Sequence, residues 1–274
     1  MYEAYWGLKE KPFQNTPDPR FLYHSQQHEE ALSRLIYAIQ ERVGGALLTG
    51  VFGCGKTLLG YTLMKELSQE KYKVAFLTNP QMSYLELLLL ITQELGGGGF
   101  PTKKTEVLTN VVYLTLKDIL HKNFKEGKET VIVVDEAHII QDAEVFEGLR
   151  LLLNYQLADR FLLTLILMGQ PELRTKVDEL RQLEQRINIK CHLDNLSKED
   201  TEKYVVHRFQ VAGGKKSPFT EKALSVIYDY SGGIPRRINR LCDLCLLSGF
   251  GKKAKTIGPE VIQEEIAALG GTTK

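Results

Sequence analysis

Only four of the 274 residues are cysteine, one is tryptophan and four are methionine, and 35 lysines and arginines are nearly cancelled by 34 aspartates and glutamates. Four cysteines in a chain this long do not make a disulfide framework. A net charge of +1 gives no overall electrostatic footprint for nucleic acid and leaves only local basic patches to consider. Long hydrophobic runs are missing too. The densest, residues 161–168, has the length of a strand, well short of the ~18–20 residues that cross a bilayer. The N-terminus has no basic region followed by an apolar segment, so no secretory leader is expected and the expected compartment is the cytoplasm. A hydrophobic fraction of 43% and a charged fraction of 25% suit a globular protein, either one large domain or a core with a smaller companion.

The most informative string is Gly50-Val51-Phe52-Gly53-Cys54-Gly55-Lys56-Thr57, a complete G-x-x-x-x-G-K-[ST] phosphate loop. Its glycines let the backbone curl so that successive N–H groups face phosphate oxygens. Lys56 then reaches the β- and γ-phosphates, and Thr57 offers its hydroxyl to Mg²⁺. Residues 45–49 lead in as a short buried strand, and 58–67, starting at Leu58, lead out with helical spacing. This frame puts the phosphates at a helix N-terminus, where the dipole and orphan N–H groups favour anions. The expected ligand is ATP with Mg²⁺.

Strand-like apolar runs at 46–50, 73–78, 131–135, 161–168 and 189–193 alternate with amphipathic stretches such as Leu108, Val112, Leu116, Ile119 and Leu120. Runs apolar throughout suit strands buried on both faces of a parallel sheet, so the expected class is α/β. The stretch 96–101, with four consecutive glycines, reads as a surface loop. From about residue 196 the pattern turns to helices, with N-cap signals at Ser197 and Thr220, another start after Gly232-Gly233-Ile234-Pro235, and a last helix over 259–269. The expected domains are therefore residues 1–195 and 196–274. Cys242 and Cys245 have a metal-like spacing, but they sit in a helical run with no second Cys/His pair and are expected to be buried helix residues.

Val131-Ile132-Val133-Val134-Asp135-Glu136 is an apolar strand ending in two carboxylates. At a strand's carboxyl end Asp135 is suited to hold the metal beside Thr57, and Glu136 to deprotonate a water attacking the γ-phosphorus. The adjacent glutamate separates hydrolases of the additional-strand class from nucleotide kinases, and no Asn-Lys-x-Asp guanine signature occurs. Three weaker candidates follow. Gln170, after the fourth strand, is a candidate γ-phosphate or water contact, and equally reads as a turn residue before a helix. Arg186, favoured over Arg181 because it lies nearer the fifth strand, is a candidate to reach a neighbouring subunit's γ-phosphate. Arg236, in Gly233-Ile234-Pro235-Arg236, is a candidate to reach the nucleotide and couple domain angle to ligand state.

In that order, the loop, the acidic strand, Gln170, the arginine and the Gly-x-Pro-Arg segment resemble the AAA+ ATPases. The chain is more closely similar to the ExeA/GspA-type ATPases of general secretion. The residues that carry this likeness are Met1-Tyr2, Tyr5, Gly7-Leu8, Pro12-Phe13, Thr16-Pro17-Asp18-Pro19, Phe21-Leu22-Tyr23, Ser25 and His28, then Leu149-Arg150-Leu151-Leu152 with Asn154, Gly169-Gln170-Pro171-Glu172-Leu173, and Leu180-Arg181-Gln182-Leu183 with Gln185-Arg186-Ile187. The resemblance implies a P-loop NTPase with a five-stranded parallel sheet and a C-terminal helical lid, and an N-terminal arm whose segment 13–28 covers the adenine. It also implies a homo-oligomer with ATP at its subunit interfaces, acting on a secretion or pilus-type envelope component at the inner membrane face. Proteins of this type usually continue into a transmembrane helix and a periplasmic peptidoglycan-binding domain, neither of which lies within these 274 residues. Free-standing relatives include ATPases encoded beside transposases, so the alternative partner is duplex DNA, with phosphate contacts at Lys103-Lys104, Lys215-Lys216, Lys252-Lys253 and Lys255. A third reading is an ATP-binding switch that needs a partner to hydrolyse. Cys54 stands where a small hydroxyl residue is common, and the expectation is a loop sensitive to alkylation or oxidation.

Overall fold

The computed structural model describes residues 1–101, 103 and 107–270. Lys104 and Lys274 lie outside the described residues. The packed chain divides into two units, one made of Glu29–Gly50 with Leu59–Leu193, the other of Met1–His28, Val51–Leu58 and Asp194–Lys274.

The first unit carries a five-stranded sheet in the order β2-β3-β4-β1-β5, with β1 Gly45–Gly50, β2 Tyr72–Leu77, β3 Glu129–Val134, β4 Leu163–Gly169 and β5 Ile187–Leu193. Every pairing is parallel. The central strands β1 and β4 are buried at every position, whereas the edge strands β2 and β5 expose part of their length. Residues buried on both faces of a central strand must be apolar throughout, which is why these runs stood out in the sequence. Helices α3 Tyr84–Glu94, α4 Thr109–Lys125 and α5 Ala143–Leu152 supply Leu87, Ile91, Val112, Leu116, Leu120 and Leu149 to a core shared with Ile132, Val134, Leu165 and Leu167. Leu108, expected on the apolar face of α4, is the helix N-cap and is exposed. The expected strand 161–168 starts two residues later, since Phe161 forms only an isolated bridge to Gln156.

The second unit is helical, with α8 Lys198–Val211, α9 Glu221–Ser231, α10 Pro235–Gly251 and α11 Pro259–Ala268. Ser197 and Thr220 cap their helices through side-chain oxygens that accept from Asp200 N–H and Ala223 N–H. Cys242 and Cys245 are fully buried in α10 among Val205, Ile238 and Ile262, and burial pushes both thiols well up.

The sequence pattern set one boundary at 195/196 and assigned the N-terminal arm to the sheet domain. In the structure the arm belongs with the helices, because Tyr2, Leu8, Phe13 and Phe21 pack into the same core as Phe209, Leu241 and Leu246. Arg208, buried at 3% exposure, donates to the carbonyls of Pro12 and Gln14 and lies over the Phe21 ring. Trp6 donates its indole N–H to the Leu246 carbonyl.

Candidate functional site

Residues 51–55 leave β1 at the carboxyl edge of the sheet, and α2 Lys56–Glu66 begins at the lysine itself. Gly53 and Gly55 have φ of 83° and 105°, a region that favours glycine. A Cβ on Gly53 would stand 2.8 Å from Arg236 Cβ. Three loop carbonyls accept hydrogen bonds. Val51 accepts from Lys56 Nζ at 3.0 Å, Gly53 from Arg236 N–H at 3.3 Å, and Cys54 from His28 Nε2 at 3.1 Å. In a trans peptide N–H and C=O point opposite ways, so each carbonyl held in this way also fixes the direction of the N–H that follows it, those of Phe52, Cys54 and Gly55.

His28 is buried, and Ser25 Oγ lies 2.7 Å from its Nδ1. With Nε2–H given to Cys54 O, Ser25 donates to Nδ1, which fixes the neutral tautomer. Burial lowers the His28 pKa from its usual value, while the bond to the carbonyl opposes that shift. Leu22, Tyr23, Leu58, Leu196, Tyr204 and Pro235 line a mostly apolar pocket against Cys54 and Gly55. Cys54 is fully buried and burial pushes its thiol up, so the expected reactivity is corrected: this thiol is neither presented to solvent nor activated. Arg236 is exposed at the start of α10, with its guanidinium over the Phe52 ring at 4.7 Å, and Arg237 and Arg240 are surface charges.

In the sheet unit, β3 and β4 are neighbours, paired up to Val134↔Leu167, so the residues leaving their carboxyl ends meet. Asp135 is 1% exposed and its Oδ1 accepts the Glu136 N–H at 2.8 Å. Glu136 is left-handed, φ 54° and ψ 28°, a conformation that costs a residue with a Cβ about 1–2 kcal/mol. A 3-10 turn, Ala137–Ile139, follows. Gln170 lies just past β4, and its amide nitrogen is 2.8 Å from His138 Nε2. Arg186 Nη1 donates to the Leu153 carbonyl at 2.8 Å, while Arg181 is exposed at the start of the short helix α7, Arg181–Glu184.

Two contributors were not singled out from the sequence as parts of the site. His28 was noted only within a resemblance, and its grip on the loop depends on the arm folding back. His138 had a usable signal, standing two residues beyond Glu136 in Asp135-Glu136-Ala137-His138.

Asp135, a carboxylate buried at the end of β3, is a hard oxygen donor of the kind a small cation such as Mg²⁺ takes. Known proteins bear on the rest. General secretion pathway protein A of Aeromonas hydrophila is 40% identical over 260 residues, 94% of this chain, which spans only 46% of that relative. The Aeropyrum pernix ORC2 protein superposes with a TM-score of 0.71 at 18% identity, covering 94% of this chain and 71% of its own. Cdc6p of Pyrobaculum aerophilum gives 0.72 at 16% identity, covering 91% and 68%. At such identities these structures show the fold, that of a P-loop NTPase of the AAA+ type. The AAA domain family matches residues 39–177, from the end of helix α1, Gln26–Gln40, through α6, Glu172–Glu179, taking in both the phosphate loop and the acidic strand. This chain belongs to the AAA domain family.

Proposed function

We propose that the protein is a Mg²⁺-dependent ATPase that works as a homo-oligomer and drives assembly of a secretion or pilus-type envelope complex. The observation that carries the hydrolytic part is the loop, with two glycines at positive φ, carbonyls held by hydrogen bonds and Lys56 at the head of α2. Lys56 and the loop N–H groups hold the β- and γ-phosphates. The adenine lies against the apolar residues beside Cys54, Tyr23 and Tyr204 among them, which have to part to admit it. Thr57 and Asp135 hold Mg²⁺, which when bound supplies Lewis-acid neutralisation of phosphate charge. Glu136 accepts a proton from the water whose oxygen attacks the γ-phosphorus as the bond to the β–γ bridging oxygen breaks. Arg236, at the head of α10, reaches the nucleotide and so couples the placement of residues 196–274 to what the loop holds. Arg186 or Arg181 completes a neighbour's site, and the exposure of Arg181 makes it the better presented of the two. Likeness to general secretion pathway protein A supports the envelope role, and among the described residues no helix is long and apolar enough to cross a membrane.

The test is ATP turnover against protein concentration, with and without duplex DNA, alongside mass determination with ATP. The expected result is turnover per subunit that rises as the oligomer forms and ignores DNA. Stimulation by DNA that fades steeply with salt would replace the envelope role with a DNA-directed one. If basal turnover were negligible and indifferent to Glu136→Gln, the protein would be an ATP-binding switch.

A further inference from the structure

His138 touches both polar groups at the end of the sheet. Its Nδ1 lies 3.3 Å from Glu136 Oε2, and its Nε2 lies 2.8 Å from the Gln170 amide nitrogen. An amide N–H donating to Nε2 leaves the imidazole proton on Nδ1, facing the carboxylate. That Nδ1 is buried and lacks an aligned hydrogen-bond partner as it stands. A buried donor so left is rare, and a small rotation of the Glu136 carboxylate satisfies it.

The turn that carries the ring is held as well. Lys176 Nζ donates to the carbonyls of His138 and Ile140 at 2.6 and 2.7 Å, tying down the 3-10 turn. The turn packs closely on the end of β4, where a Cβ on Gly169 would stand 3.1 Å from the His138 backbone nitrogen and 2.8 Å from Leu173 Cδ2. Glu136 itself sits in a left-handed conformation that a residue with a side chain holds only when its surroundings impose it. A strained carboxylate, an imidazole proton aimed at it and a second strand's amide behind that imidazole form one connected unit.

We propose that His138 is a positioning residue for Glu136. Its Nδ1–H holds one carboxylate oxygen and leaves the other directed at water, while its Nε2 links that setting to Gln170. The proposal rests on the hydrolytic reading above. A base that rotates freely spends less time in the geometry that removes a proton, so the loss falls on the chemical step and leaves ATP binding intact.

The test measures Mg-ATP turnover for the wild type, His138→Ala, His138→Gln, Glu136→Gln and the double variant Glu136→Gln/His138→Ala. Binding of a fluorescent non-hydrolysable ATP analogue and thermal melting are measured on each. His138→Ala is expected to lower kcat by about 10- to 100-fold with KM and analogue affinity within about twofold. His138→Gln, which keeps an N–H within reach, recovers a large part of that loss. In the Glu136→Gln background His138→Ala has no further effect, because its route runs through the carboxylate. If His138→Ala melts early, His138→Leu fills the space without an N–H and carries the same expectation. An unchanged kcat, an equal loss of analogue binding, or an additive loss in the double variant overturns the proposal while leaving the hydrolytic reading in place. A wild type that binds ATP but never turns over, at any concentration, overturns both.

Discussion

The phosphate loop and the acidic turn are held in opposite ways. Around the loop the supports are donors from distant segments, His28 from the arm and the Arg236 backbone from α10, and all of them take carbonyls. Around the acidic turn the supports are side chains close at hand, His138 on the turn itself and Lys176 and Gln170 from just beyond β4, and one of them lies 3.3 Å from the Glu136 carboxylate. The difference follows from what each part offers a ligand. A cradle for phosphate works through its N–H groups, so anything that steadies it must approach from the carbonyl side. A base works through one carboxylate lone pair, so its support has to grip the side chain itself.

The largest expected effects separate the two parts cleanly. Lys56→Ala removes the loop's only fixed positive side chain, and nucleotide affinity is expected to fall by about 100-fold or more, measured by titration with a fluorescent ATP analogue. Glu136→Gln is expected to keep that affinity and lose about 10²- to 10³-fold in turnover, trapping ATP on the protein. Equal losses of affinity in both variants would erase the contrast.

A smaller pair of effects tests the supports. Gly53→Ala puts a side chain at φ 83° with its Cβ 2.8 Å from Arg236 Cβ, and a loss of about 1–3 kcal/mol is expected, with weakened nucleotide binding. Lys176→Met leaves the carbonyls of His138 and Ile140 without their donor, and a loss of about 1–3 kcal/mol is expected, with turnover reduced several-fold and affinity retained. Chemical denaturation and analogue titration check both. If Lys176→Met weakened nucleotide binding as much as Gly53→Ala, the two supports would not be separate.

Much of this was legible beforehand. The loop announces itself because its chemistry needs a contiguous string, and the acidic strand because burial on both faces forces an apolar run before the carboxylates. The caps Ser197 and Thr220 are local contacts over three residues and could be read as such. The supports were not legible, for a common reason. Arg208 meets Pro12 across 196 residues and His28 meets Cys54 across 26, and neither has any periodicity to betray it. The left-handed turn at Glu136 carries no glycine to mark it, since there the surroundings override what the residue prefers.

The smallest effect is the most diagnostic of the loop's support, because His28 titrates. Burial holds its folded pKa below the usual 6.5. Above 6.5 the imidazole is neutral in both folded and unfolded chains, and stability does not depend on it. As the pH falls through 6.5 the unfolded chain takes up a proton that the folded one refuses, so stability declines, by about 1.4 kcal/mol for each pH unit crossed before the folded pKa is reached. The melting temperature is therefore expected to be flat from pH 8 to 7 and to drop below about 6.5. His207, also lowered by burial, adds a contribution of the same sign. His28→Gln keeps an N–H for the Cys54 carbonyl but cannot titrate, so it should melt below the wild type at pH 8 and close the gap on acidification, with the residual slope left to His207. Parallel melting curves against pH for the two proteins would mean that His28 does not hold the loop as a neutral donor, and that packing of the arm alone keeps Cys54 in place.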